Sequence, residues 1–234
     1  WLRRLRETMD QNLTACELIE RVCLDVARKH RPDTIDPLAQ PYPWYVLLEV
    51  SSPNTDADLE ERITAVFSAA LDAGEVLDGA IATSIAQSRS MWDLRETLAD
   101  VHRLEGISFK HDVSVPVSKV PAFIDRADRA LSARFPGIRQ FAFGHLGDGN
   151  IHYNSLQAAG QPAAAWSPHL NEVNRIVHDI VHDLGGSISA EHGIGQLRRN
   201  ELPRYKSGVE MEMMSAIKTG LDPAGRMNPG KLFS

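Results

Sequence analysis

The segment FAFGHLGDGNIHYN, residues 141 to 154, constrains this chain more than any other stretch. Apolar and aromatic runs flank an Asp-Gly pair, a strong hairpin signal because a type I′ turn needs positive φ at both central positions. Taking Asp148 and Gly149 as those positions puts His145 directly across from His152, with Cβ atoms about 4.5 to 5.5 Å apart on one face. Asn154, two residues on, shares that face. A bulge at one of the glycines would shift the register by a residue. Two imidazoles this close reach a single ion.

A third ligand is available in SAEHGIG, where Glu191 and His192 leave an expected strand and enter a glycine-rich turn. Two His and one carboxylate leave a coordination position open, the pattern of a catalytic rather than a structural metal site. Zn²⁺ suits these ligands, and Fe²⁺, Mn²⁺ and Co²⁺ accept them too. The same residues would also serve as hydrogen-bonded histidines of a polar hairpin and a glutamate opening a helix.

Around the hairpin, strands and helices alternate. Thr14 and Glu17 make a capping box for a helix carried by Leu18, Val22 and Val26 to about Lys29. WYVLLEVSS, residues 44 to 52, reads as a buried strand, and residues 57 to 72 as a helix closed by Gly74. A strand is expected in GAIATSIAQ, with Arg95 at a strand end just beyond it, and another in GISFKHDVSVP, with Lys110 inside it. A helix is expected at about 119 to 134. A further helix runs from Pro168 to Gly185, a short strand follows in SISA, and a last helix runs through Met211, Met214 and Ile217. Such alternation with hairpins predicts an α+β fold, an antiparallel sheet with helices packed on one face, in two ferredoxin-like halves.

Several functions are set aside on composition and spacing. The net charge of −6 over 234 residues offers no basic surplus for nucleic acid. No apolar run approaches the roughly 20 residues that span a bilayer. Cys16 and Cys23, read on one helix about 10 Å apart, are too distant for a disulfide, and a reducing, cytoplasmic setting is expected. Gly193 and Gly195 lack the third glycine of a dinucleotide fingerprint. His169, His178 and His182 read as a solvated helix face.

Taken in order, WDLRE, FKHDVSVP, GHLGDGNIHYN, SAEHGIG and LDPAGRMNPGKLF resemble the C-terminal, substrate-binding cap domain of flavin-linked D-2-hydroxy-acid dehydrogenases. That group holds D-lactate, D-2-hydroxyglutarate and glycolate-oxidising enzymes of the vanillyl-alcohol oxidase superfamily. The resemblance covers nearly the whole chain. It implies that His145, His152 and Glu191 hold a divalent metal, commonly zinc, and that His192 is the catalytic base. It also implies that Arg95 and Lys110 contact substrate carboxylates and that Asn154 lines the active site. Where the 2-hydroxyglutarate enzymes carry a threonine, this chain has Ala99.

The implied partners are a small 2-hydroxy acid and an N-terminal flavin domain that binds most of the FAD and has no counterpart in these residues. The chain alone is therefore expected to bind no flavin and to be inactive. A non-catalytic module that holds metal or carboxylate in the same pocket is the alternative.

Overall fold

The computed structural model describes residues 1–54 and 58–233. In chain order they form α1 (Leu2–Met9), β1 (Leu13–Glu20), α2 (Arg21–His30), β2 (Trp44–Val50), α3 (Leu59–Asp72) and α4 (Ile85–Val101). Then come β3 (Ser108–Phe109), β4 (Asp112–Ser114), α5 (Val120–Arg134), β5 (Arg139–His145) and β6 (Asn150–Leu156). The chain continues through α6 (Ala163–Trp166), α7 (Leu170–Asp183), α8 (Leu202–Tyr205) and α9 (Gly208–Leu221). The strands form one six-stranded antiparallel sheet, in the order β2-β1-β5-β6-β3 with β4 also paired to β6.

The α+β class and the antiparallel sheet are as the sequence predicts, but helices cover both faces of one continuous sheet rather than one face of two halves. Alternation along the strands explains the division. Leu18, Ala142, Ile151 and Tyr153 pack with α5 and α7 on one face. Ile19, Phe141, Phe143 and Leu156 pack with α2 and α4 on the other. No helix among the described residues is long and apolar enough to cross a membrane.

Two expected elements are exchanged. Residues 13–20 are strand, not the start of a helix, and the Thr14 hydroxyl donates across the sheet to the Glu49 carbonyl at 3.2 Å instead of capping. A strand flanked on both edges and covered on both faces shows little alternation, so its pattern passes for a helix. Conversely, α4 replaces the strand expected in GAIATSIAQ. Ser84 caps it by accepting the Gln87 N–H at 3.2 Å, while Gln87 Oε1 accepts the Thr83 N–H at 2.7 Å. The helix expected from 57 begins at Leu59, and residue 57 itself lies outside the described residues. SISA forms no strand and meets the sheet through the Ser187–Ser114 bridge and the Ala190 N–H bond to the Asp112 carbonyl.

The hairpin closes through four residues, Leu146 to Gly149, not two. His145 therefore pairs with Asn150, and His152 pairs with Phe143. The change preserves parity, so both histidines keep the same face. Gly149 has φ +82°, and a Cβ there would lie 2.0 Å from the Val115 carbonyl oxygen. Only glycine fits that approach.

One half-buried carboxylate makes stability pH-dependent. Glu20 accepts the Ala142 N–H at 3.0 Å. Burial, offset in part by that hydrogen bond, pushes its pKa up to about 7. A carboxyl raised on folding contributes stability below its unfolded value, and that contribution is lost as pH climbs through the folded one. Glu20→Gln is therefore expected to exceed wild type by about 1–2 kcal/mol at pH 8, and by nothing at pH 4.5, in urea denaturation. Equal stabilities at pH 8 would contradict this.

Candidate functional site

β5 and β6 present His145 and His152 from one face, rings 5.5 Å apart and edge to face. The chain after α7 brings Glu191 to them. One donor atom from each of the three lies within 4.8 Å of the others. His145 Nε2 is 3.1 Å from Glu191 Oε1, and His152 Nε2 is 3.9 Å from Oε2. Both Nε2 atoms thus face one carboxylate.

Two buried carboxylates stand behind this trio, and the sequence reading missed both. Glu17, opposite His145 in the β1–β5 pairing, takes the His145 Nδ1–H through Oε1 at 2.7 Å. That bond leaves Nε2 of a neutral ring as the free lone pair, the way metal-ligating histidines are oriented. Asp112, opposite His152, brings Oδ1 to 3.7 Å from His152 Nδ1. Its Oδ2 accepts the backbone N–H groups of Glu191 at 2.8 Å and His192 at 3.0 Å. Burial alone would raise the Asp112 pKa, but those two N–H groups and the charges of His192 and His152 hold it below its ordinary value. For His152, burial and then the Arg95 charge lower the pKa. An acid between apolar residues, as Glu17 is between Cys16 and Leu18 in LTACELIE, was the signal available for it.

The donor set fits a divalent cation: two imidazoles with acceptors facing their far nitrogens, one carboxylate, and a buried Asp112 Oδ1 without a hydrogen-bond partner. A cleft of about 560 Å³ opens beside it, bordered by Arg6, Thr14, Glu17, His145, Asp148 and Glu191.

The other sequence candidates are distributed around the trio. His192 is exposed, with Nδ1 3.8 Å from Asp112 Oδ2. Asn154 is buried, opposite Phe141 and on the histidine face. Lys110 is exposed between β3 and β4, which keep one register against β6, so it falls opposite Asn154. Burial and the neighbouring Arg103 lower its pKa. Arg95 lies within α4, not at a strand end. It is buried, donates from Nε to Glu17 Oε2 at 2.6 Å, and sits 4.7 Å over the Phe143 ring. Ala99 is one turn further along α4 and exposed.

Known proteins of similar sequence and fold agree with this architecture. A D-2-hydroxyglutarate dehydrogenase of Stutzerimonas stutzeri (strain A1501) is 37% identical over 204 residues, 87% of this chain and 43% of that protein. The mitochondrial D-2-hydroxyglutarate dehydrogenase of Rattus norvegicus is 32% identical over 230 residues, 98% of this chain and 41% of that protein. The chain thus spans about two fifths of the length of these relatives. In fold it is similar to 4-ethylphenol oxidase from Gulosibacter chungangensis, in complex with isoeugenol. The TM-score is 0.54 at 15% identity, with 94% of this chain and 47% of the oxidase covered. The family described as FAD linked oxidases, C-terminal domain, matches residues 2–232, so the chain belongs to that family.

Proposed function

We propose that this chain is the substrate- and metal-holding part of an FAD-dependent dehydrogenase that oxidises a D-2-hydroxy acid to the 2-oxo acid. The observation that carries the reading is the convergence of His145, His152 and Glu191, with His192 beside them and Asn154 and Lys110 on the same sheet face. When bound, the metal, zinc by donor type, supplies Lewis acidity toward a hydroxyl oxygen, and FAD, held mainly by a separate flavin domain, supplies a hydride acceptor. His192 takes the hydroxyl proton, and the Asp112 carboxylate facing its Nδ1 stabilises the imidazolium that results. Glu17 holds His145 in orientation through its hydrogen bond, and Asp112 places a negative charge 3.7 Å from His152 Nδ1. The buried free thiols Cys16 and Cys23 suit a reducing compartment, and we assign the cytoplasm.

A dicarboxylate is the favoured substrate, supported by relatives named for D-2-hydroxyglutarate. Arg95 and Lys110 are the cations assigned to it. Lys110 makes no ion pair among the described residues, whereas Arg95 gives its Nε to Glu17. Ala99 supplies no hydroxyl to assist them.

The test is to assay the complete flavoenzyme, with an artificial electron acceptor, on D-2-hydroxyglutarate, D-malate, D-lactate and glycolate. Dicarboxylates are expected to lead. Lys110→Met is expected to lower their kcat/KM by about 10- to 100-fold, the loss of a charged hydrogen bond, and to leave D-lactate within about twofold. A wild-type preference for D-lactate would reject the dicarboxylate assignment. No turnover of any 2-hydroxy acid would favour a non-catalytic binding module.

A further inference from the structure

The segment that delivers Glu191 has almost no secondary structure of its own. It meets the sheet through the Ser187–Ser114 bridge, through the Ala190 N–H to the Asp112 carbonyl at 3.0 Å, and through the Asp112 side chain. Behind it lies a partly buried polar cluster that the reaction does not use. Arg198 donates from Nη1 to the Ile188 carbonyl at 3.1 Å and from Nη2 to the Lys110 carbonyl at 3.0 Å. Its Nη1 also meets Nε2 of His178.

His178, expected on a solvated helix face, is fully buried on α7 and directs Nδ1 to Glu201 Oε2 at 2.7 Å. One proton arrangement satisfies all three groups: Nδ1–H donates to Glu201, and the Nε2 lone pair accepts from Arg198. Burial lowers the Arg198 pKa, against the charges of Glu201 and Asp112.

The two carbonyls that Arg198 grips belong to the two chains of the metal region. Ile188 lies three residues before Glu191, and Lys110 two residues before Asp112, whose carboxylate clasps the Glu191 and His192 N–H groups. One rigid fork therefore ties the loop to the strand that receives it. Arg198 is half-buried, and its planar guanidinium has fixed donor directions, so bonds to both carbonyls hold the two segments to one geometry.

We propose that Arg198, braced by His178 and Glu201, is a positioning residue that sets where the Glu191–His192 turn stands against His145 and His152. The proposal rests on the metal reading above for its consequence, but not for its geometry.

The experiment uses the full chain as wild type, Arg198→Met and Arg198→Lys. Amide hydrogen exchange is followed over residues 187–193 and over β5–β6, and zinc affinity by chelator competition. Arg198→Met is expected to speed exchange in 187–193 by about 10-fold or more, to leave β5–β6 unchanged, and to weaken zinc by about 10- to 100-fold, as loss of an outer support does. Arg198→Lys, which can hold one carbonyl but not fork across two, is expected to recover part of both.

Wild-type exchange and zinc affinity in Arg198→Met would overturn the role, and so would exchange that rises equally in β5–β6. Should the methionine variant not fold, Arg198→Lys decides: faster exchange confined to 187–193 supports positioning, and unchanged or global exchange overturns it. If the wild type takes no zinc, the metal reading fails while the exchange comparison still judges Arg198.

Discussion

Wild-type chain equilibrated with zinc is expected to hold about one ion, and the His145→Ala/His152→Ala variant essentially none. Structural zinc sites with four ligands bind with about 10–16 kcal/mol, or roughly 3 kcal/mol per ligand, so each histidine lost should weaken binding by about 100-fold or more. The three donors converge without large rearrangement, all within 4.8 Å, and Glu17 already turns His145 so that Nε2 faces Glu191. A metal that binds only the folded chain stabilises it by about 2.7 kcal/mol at 100 times its Kd. Zinc should therefore raise the melting temperature of the wild type and leave that of the double variant where it was. Elemental analysis and thermal melts read the two effects. Equal zinc content in both proteins would place the ion elsewhere or nowhere.

That the trio was legible in sequence follows from chemistry and parity. His145 and His152 stand in apolar strands where imidazoles have no packing reason to be, and an even displacement of register leaves them on one face even though the turn holds four residues instead of two. Glu191 was legible because its glycine-rich surroundings mark a turn that no core requires. The partners of the supports were not legible. Glu17 meets a histidine 128 residues away, and nothing local announces that pairing.

The misassigned elements share a related cause. LTACELIE is covered on both faces, so its period is lost, and the short apolar run before Ser84 carries no core partner to distinguish strand from helix lead. The Ser84-to-Gln87 cap was the readable signal there, and it outranks apolar content at a helix start. His178 shows the converse error, since helical spacing cannot tell a solvated histidine from one buried against Arg198 and Glu201.

Arg95→Met is expected to destabilise the chain by about 3–5 kcal/mol, because it leaves the Glu17 carboxylate buried without its counter-charge. The side chains are 10% and 5% exposed and meet at 2.6 Å, so solvent screens this pair little. For a chain of this size that loss corresponds to about 6–20 °C in melting temperature. Glu17→Gln/Arg95→Met removes both charges and should recover most of the loss, which a double-mutant cycle reads as a coupling energy of about 2–3 kcal/mol. Under the proposed function, Arg95 would act through Glu17 on His145 as well as on a substrate carboxylate. Its loss should therefore lower kcat/KM for dicarboxylates and D-lactate together, whereas Lys110→Met separates them. If Arg95→Met melts within about 2 °C of wild type, the buried pair is not what holds α4 against β1, and Arg95 regains the simpler role of a substrate contact alone.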